Sequence, residues 1–277
     1  MLRSILVALD ESPWSEAATT LGLEWASRFG ARLVGLGIVD THSIMGPEFV
    51  SVGATDFKRR RDQARMADAE KRVISVLDKF RDRCTTAKIP AGTLRDAGDS
   101  AESILRNAHR CDLVLLGRET YFHFETQDEP DETLGRVLRR SPRPTVVVPR
   151  ELPAGNGVIV AYGGGREVAR TLQTFQLLGL AGGEPTHLIT IQPENGKNQG
   201  GADLAAEFLK SHDAPHQLHV VQTSLGPAQA LLEQVRNLQP RLVVMGAHGH
   251  HPVRNLFATS VTRGVLRDCP VPVLVGA

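Results

Sequence analysis

Two distant segments of this chain end in the same way. Arg140-Ser141-Pro142-Arg143-Pro144-Thr145-Val146-Val147-Val148 and Asp268-Cys269-Pro270-Val271-Pro272-Val273-Leu274-Val275 each set two prolines at equal spacing ahead of a β-prone run. The correspondence reaches further back. Leu113-Val114-Leu115-Leu116-Gly117 mirrors Leu242-Val243-Val244-Met245-Gly246, and Ile5-Leu6-Val7-Ala8-Leu9 mirrors Val158-Ile159-Val160-Ala161-Tyr162. Internal repetition of this kind means that one plan is folded twice. The 277 residues fit that reading, at roughly 100–200 residues per domain. The boundary falls in Glu151-Leu152-Pro153-Ala154-Gly155-Asn156, a turn-rich stretch without periodicity, giving domains over 1–150 and 157–277.

Ile5–Leu9 is a continuous apolar run, as expected of a strand buried on both faces of a parallel sheet. Ser12-Pro13 then starts a helix, Ser as N-cap and Pro at the first helical position. That helix runs to about Gly30, and Leu33–Val39 supplies a second strand, closing a βαβ unit with a right-handed crossover. Met66, Ala69, Val73, Leu77 and Phe80 recur at helical spacing and predict a long helix over 57–82. Ala91–Arg95 reads as a weak strand, Ser100–His109 as a helix, Leu113–Gly117 as a strong strand, Leu134–Arg140 as a short helix and Thr145–Val148 as the last strand. Two such halves make a doubly wound α/β protein of five strands each. The Gly-, Ser- and Thr-rich insertion over 40–56 is a candidate lid or contact surface, with a disordered connection as the alternative.

Composition narrows the function classes. Lys and Arg total 32 against 31 Asp and Glu, so no global field attracts nucleic acid or an anionic membrane. No apolar run suggests a membrane span, and the opening residues lack a signal-peptide pattern, so the expectation is a cytoplasmic protein without a membrane partner. Cys84, Cys111 and Cys269 are far apart and read as buried free thiols.

In a parallel α/β sheet the residues just past the strands meet the ligand. Past the fourth strand of the second half stands Gly246-Ala247-His248-Gly249, then nine residues, then Thr259-Ser260-Val261-Thr262 where a helix begins. Glycines permit tight turns and close backbone approach, and a Ser or Thr at a helix start adds N–H groups and a hydroxyl, which together suit a phosphate. This G-x-x-G, nine residues, small residue and Ser, followed by a short helix and Pro-Val-Pro-Val, resembles the universal stress protein family, and Val7-Ala8-Leu9-Asp10-Glu11-Ser12 resembles the family's opening strand and loop. The resemblance covers the chain as two tandem copies. It implies two Rossmann-like domains of the adenine nucleotide alpha hydrolase-like kind, each a five-stranded, mostly parallel sheet flanked by helices. It also implies a role in stress survival and, in one subclass, bound ATP.

Carried over to this sequence, the resemblance places ATP or ADP in the second half only. Gly246 and Gly249 face ribose and phosphates, His248 neighbours a phosphate, Ser260 and the Val261 backbone hold the terminal phosphates, and Tyr162 and Ile191 flank the adenine. Two positions depart from the family: Thr259 stands for a second glycine, and Gly163 for the family's acid after the first strand. In the first half Asp10 supplies that acid and Val39 the matching end of strand two. There Gly117 leads into Arg118-Glu119-Thr120-Tyr121 without a second glycine, and Asp128, Glu129, Asp131 and Glu132 would repel a triphosphate. That half is expected to bind no ATP.

Other features take plainer readings. His248, His250 and His251 lack a carboxylate or cysteine at ligand spacing and read as loop histidines. Gly163-Gly164-Gly165-Arg166 is a permissive turn, Arg59-Arg60-Arg61 the wet face of the long helix, and Phe122-His123-Phe124 an exposed loop or a segment packed on the other half. No Walker A, G-x-S-x-G or H-E-x-x-H motif occurs, so turnover is not expected. The sequence therefore predicts a non-enzymatic stress-response regulator with an adenine nucleotide in its second domain. The alternatives are a nucleotide-independent protein-interaction module and a very slow ATPase. The family pairs through its last strands, so Thr145–Val148 and Val273–Val275 are expected to meet as a pseudo-dimer within the chain, with a homodimer of chains left open.

Overall fold

Each buried apolar run becomes a strand and each amphipathic run a helix laid over it. In the computed structural model, which describes residues 1–45, 55–124, 130–194, 201–247 and 260–276 (of Ser260 the backbone alone), the first half runs β1 (Ser4–Leu9), α1 (Pro13–Phe29), β2 (Arg32–Asp40), α2 (Thr41–Ile44), α3 (Thr55–Thr86), β3 (Ala91–Gly98), α4 (Ser100–Ala108), β4 (Leu113–Gly117), α5 (Thr133–Arg140) and β5 (Thr145–Val148). The second runs β6 (Val158–Ala161), α6 (Arg166–Leu178), β7 (Thr186–Pro193), α7 (Ala202–Ser211), β8 (His216–Thr223), α8 (Pro227–Leu238), β9 (Leu242–Gly246), α9 (Ser260–Asp268) and β10 (Val273–Gly276). The short helix α2 was not foreseen; Asp40 starts it by accepting N–H bonds from His42 and Ser43 at 3.1 and 3.0 Å. The rest of the insertion, 46–54, lies outside the described residues.

The strands form one 10-stranded sheet in the order β3-β2-β1-β4-β5-β10-β9-β6-β7-β8. Pairing is parallel within each half, and the seam is antiparallel, with Val273 opposite Val147, Leu274 opposite Val146 and Val275 opposite Thr145. The last strands of the two halves thus meet inside one chain, as the sequence suggested. Helices α1, α3, α6 and α7 share one apolar layer with Trp25, Phe80 and Phe175 buried in it, while α4, α5, α8 and α9 cover the other face. Long α3 lies close on β2 because Gly35 has no side chain; a Cβ there would stand 2.6 Å from Phe80 Cδ1.

Because the seam is antiparallel, the strands of the two halves run in opposite directions, and their carboxyl ends open at opposite rims of the sheet. Polar contacts lock the halves together. Leu2 N donates to Leu178 O at 3.0 Å, and Glu184 is held by both Arg28 and Arg241. Burial opposes ionisation of Glu184, but the bonds from Arg241 and Arg28 outweigh it and hold the carboxyl below its usual range. At the opposite rim Arg118 donates to Arg267 O at 3.0 Å and to Cys269 O, which places a guanidinium on the carboxyl end of α9.

Candidate functional site

The carboxyl rim of the second half holds an open cavity of about 260 Å³. Tyr162 and Gly163 bring the end of β6 to it, Ile191 the end of β7, Gly246 the end of β9, and Val261 and Thr262 the first turn of α9. Val168, Pro227, Leu231 and Met245 complete an apolar wall. Tyr162 is buried, which pushes its phenol above the ordinary value, and its N–H is fixed to Ile189 O at 2.8 Å. Gly246 permits the close packing of α6 on β9: a Cβ there would lie 2.9 Å from Val168 N.

Three helices start at this cavity. Helix α6 begins at Gly165, whose φ of 110° suits glycine, and no side chain caps it. Helix α8 begins at Gly226-Pro227, again with no side-chain cap, and α9 begins at Ser260. Helix starts expose N–H groups and a partial positive charge, so an uncapped start next to a cavity favours an anionic group. Among the described residues the lining carries no carboxylate and no imidazole.

The first half uses the same positions differently. Ser12 caps α1 by accepting from Ser15 N at 3.2 Å. Asp99 caps α4 by accepting from Glu102 N at 3.0 Å and pairs with Arg136 at 2.5 Å. Asp131 accepts from Thr133 N at the start of α5 and from Phe122 N, both at 2.9 Å. Each of these three helix starts is met by a side chain of the same half.

Asp10, the acid expected to face a base, is buried and accepts from Ser12 N at 2.8 Å and Tyr121 N at 2.7 Å. Burial raises its pKa, against the lowering by these bonds. It thereby pins the segment after β4 across its own cleft, and Tyr121 stacks on Trp14 with ring centroids 5.9 Å apart. The expectation for Phe122-His123-Phe124 is corrected here. All three are buried, Phe122 in the first half's own core with Leu36, Ile38 and Ile104, so the segment is neither an exposed loop nor packing for the other half. Burying apolar surface this large is favourable, and Phe122 finds that burial among Leu36, Ile38 and Ile104 of the same half.

Tyr162, Gly163, Ile191, Gly246 and Val261 are thus brought around one cavity, and Ser260 stands at the head of α9. His248, Gly249 and Thr259 lie outside the described residues, as do Asp128 and Glu129. Sequence reasoning missed Val168, Leu231, Pro227 and Thr262. Gly226-Pro227 directly after β8 was the available clue, being a helix start at a strand's carboxyl end.

Residues 184–276 match the model of the universal stress protein family. That stretch is similar to the universal stress protein family. A universal stress protein of Synechocystis is 28% identical over 163 residues, 59% of this chain and 57% of the relative, so the match spans little more than half of that curated protein. The crystal structure of a universal stress protein from Archaeoglobus fulgidus aligns over 99% of this chain and 97% of its own, with a TM-score of 0.72 and 19% identity. That of a protein of unknown function from Pseudomonas aeruginosa aligns over 99% and 92%, with a TM-score of 0.61 and 16% identity. These two likenesses show the fold, Rossmann-like α/β layers on both faces of one sheet. No described helix is long and apolar enough to cross a membrane.

Proposed function

We propose that the chain is a tandem universal stress protein in which the second half, 157–277, holds an adenine nucleotide and the first, 1–150, is its structural counterpart. The carrying observation is the contrast between the rims: an open apolar cavity among uncapped helix starts in one half, a cleft filled and capped by its own residues in the other. In this reading the base lies between Tyr162 and Ile191. The phosphates reach the starts of α6 and α9, where Gly246, Gly249 and His248 approach them and Thr259, Ser260 and Val261 receive the terminal groups. Among the described residues the lining carries no carboxylate or imidazole to activate water, and our reading is accordingly a sensing role in stress regulation and not hydrolysis. The neutral composition suits a cytoplasmic protein.

The test is to denature freshly purified protein, identify nucleotide in the supernatant, and titrate stripped protein with ATP and ADP by calorimetry. Nucleotide bound by the parent and lost in Ile191→Trp, which fills the cavity from half-buried β7, is the expected result. No release, no heat and no thermal stabilisation would move the protein to the second reading, an interaction module independent of nucleotide. That reading has its own observation, the missing acid at Gly163.

A further inference from the structure

The two outer edges of the sheet are built differently. On β3, Leu33 N takes Pro90 O at 2.9 Å, so parallel alternation turns the backbone of Thr93, Arg95 and Ala97 outward. That edge is blocked. Asp96 accepts from the outward Ala97 N–H at 2.9 Å, Arg95 pairs with Glu70 at 3.0 Å, and Arg81 reaches the Thr93 hydroxyl. Charge and occupied backbone groups are the usual protection against edge pairing.

Edge β8 has none of this. His216-Gln217-Leu218-His219-Val220-Val221-Gln222-Thr223 contains no Lys, Arg, Asp, Glu or Pro. Thr186 N takes Pro215 O at 3.1 Å, so the odd-numbered residues bond to β7 and the N–H and C=O groups of His216, Leu218, Val220 and Gln222 point outward. Among the described residues no strand lies beyond β8. Val220 is 48% exposed, and Leu204 is 69% exposed on α7, whose buried residues share a core with Leu218.

We propose that β8 is a homodimer edge, pairing antiparallel with β8 of a second copy of this chain. The occupant follows from the strand's own pattern. An antiparallel pair must set outward residues opposite outward residues. A two-fold axis at His219 does so along the strand, placing His216 opposite Gln222 and Leu218 opposite Val220 of the second copy. Apolar residues then meet on the α7 side, no like charges of fixed sign face each other, and the contact is isologous and closes on itself. The sheet would continue unbroken from one chain to the next.

Sedimentation velocity of the full chain over a roughly hundredfold concentration range tests this. Wild type is expected to show a monomer–dimer equilibrium. Val220→Pro removes one outward donor without touching a β7 bond, and Val220→Lys puts a charge on the edge; each is expected to raise the dimer Kd by roughly tenfold or more. Far-UV circular dichroism and Tm should stay at wild-type values, and if the proline variant is unfolded the lysine variant carries the test. Arg95→Ala on β3 should leave the Kd unchanged. Amide exchange at Leu218 and Val220 should slow as protein concentration rises. A wild type that is monomeric throughout, or a dimer that ignores both Val220 variants, overturns the proposal whatever the nucleotide assay shows.

Discussion

Replacing Arg118 with Ala should loosen the seam without touching the apolar core. The guanidinium leaves the first half at the end of β4 and donates to Arg267 O and Cys269 O at the carboxyl end of α9. Each hydrogen bond from a charged donor contributes about 1.5–3 kcal/mol, and a cation at a helix carboxyl end adds about 0.3–1 kcal/mol. Against this, burial weakens the charged form and lowers the Arg118 pKa, and water can reach part of the vacated site. A net loss of about 2 kcal/mol follows, or roughly 4–8 °C in Tm for a chain of this size. Both tryptophans, Trp14 and Trp25, lie in the first half, so fluorescence reports that half while far-UV circular dichroism reports both. In urea the wild type should give coincident transitions, and Arg118→Ala should separate them, the second half melting first. Arg118→Lys, which keeps the charge but not the fork, should recover about half of the loss. Coincident transitions with a loss below about 0.5 kcal/mol would refute the reasoning, because a true brace cannot be removed at the cost of an ordinary surface substitution.

Asp10→Ala should cost about 2–4 kcal/mol by orphaning the Ser12 and Tyr121 N–H groups, and should raise 1-anilinonaphthalene-8-sulfonate fluorescence as Phe122 loses its anchor; unchanged dye binding would count against the pinned segment. Gly35→Ala forces a methyl against Phe80 and should cost about 1–3 kcal/mol by urea unfolding. His187 shares a 3.1 Å contact with His219, and burial first, then that neighbour, lowers its pKa below 6.5. The unfolded chain therefore binds the proton more readily than the folded one, so stability falls as pH drops below about 6.5. His187→Gln should flatten that slope, and an identical slope in the variant would show that the pair is not its source.

Most of the architecture could be read from residues because the repeated strands are apolar throughout, and a run such as Leu113–Gly117 fits only a strand covered on both faces. The carboxyl rim of the second half was legible for the same reason: Tyr162, Ile191 and Gly246 sit where strands end. The far wall was not, since Leu231 is an ordinary residue of an amphipathic helix until α8 is laid against β7. The filled cleft of the first half was also hidden. From sequence Asp131 reads as repelling a phosphate and Asp10 as facing a base, whereas Asp131 accepts from backbone amides and Asp10 from the Tyr121 N–H. Which partner a carboxylate finds depends on tertiary folding and leaves no local trace. Edge β8 was hidden too, because nothing in these eight residues tells that no described strand lies beyond them.

The antiparallel meeting of β5 and β10 inside one chain has a consequence for symmetry as well as a mechanical one. In a dimer of identical chains every substitution is made twice, so a pocket cannot be lost on one side and kept on the other. Joining the copies through 151–156 removes that symmetry while keeping the partner permanently at hand. In the proposed reading one half is therefore free to close its cleft on Phe122 and to brace the seam with Arg118, while its neighbour keeps a cavity open.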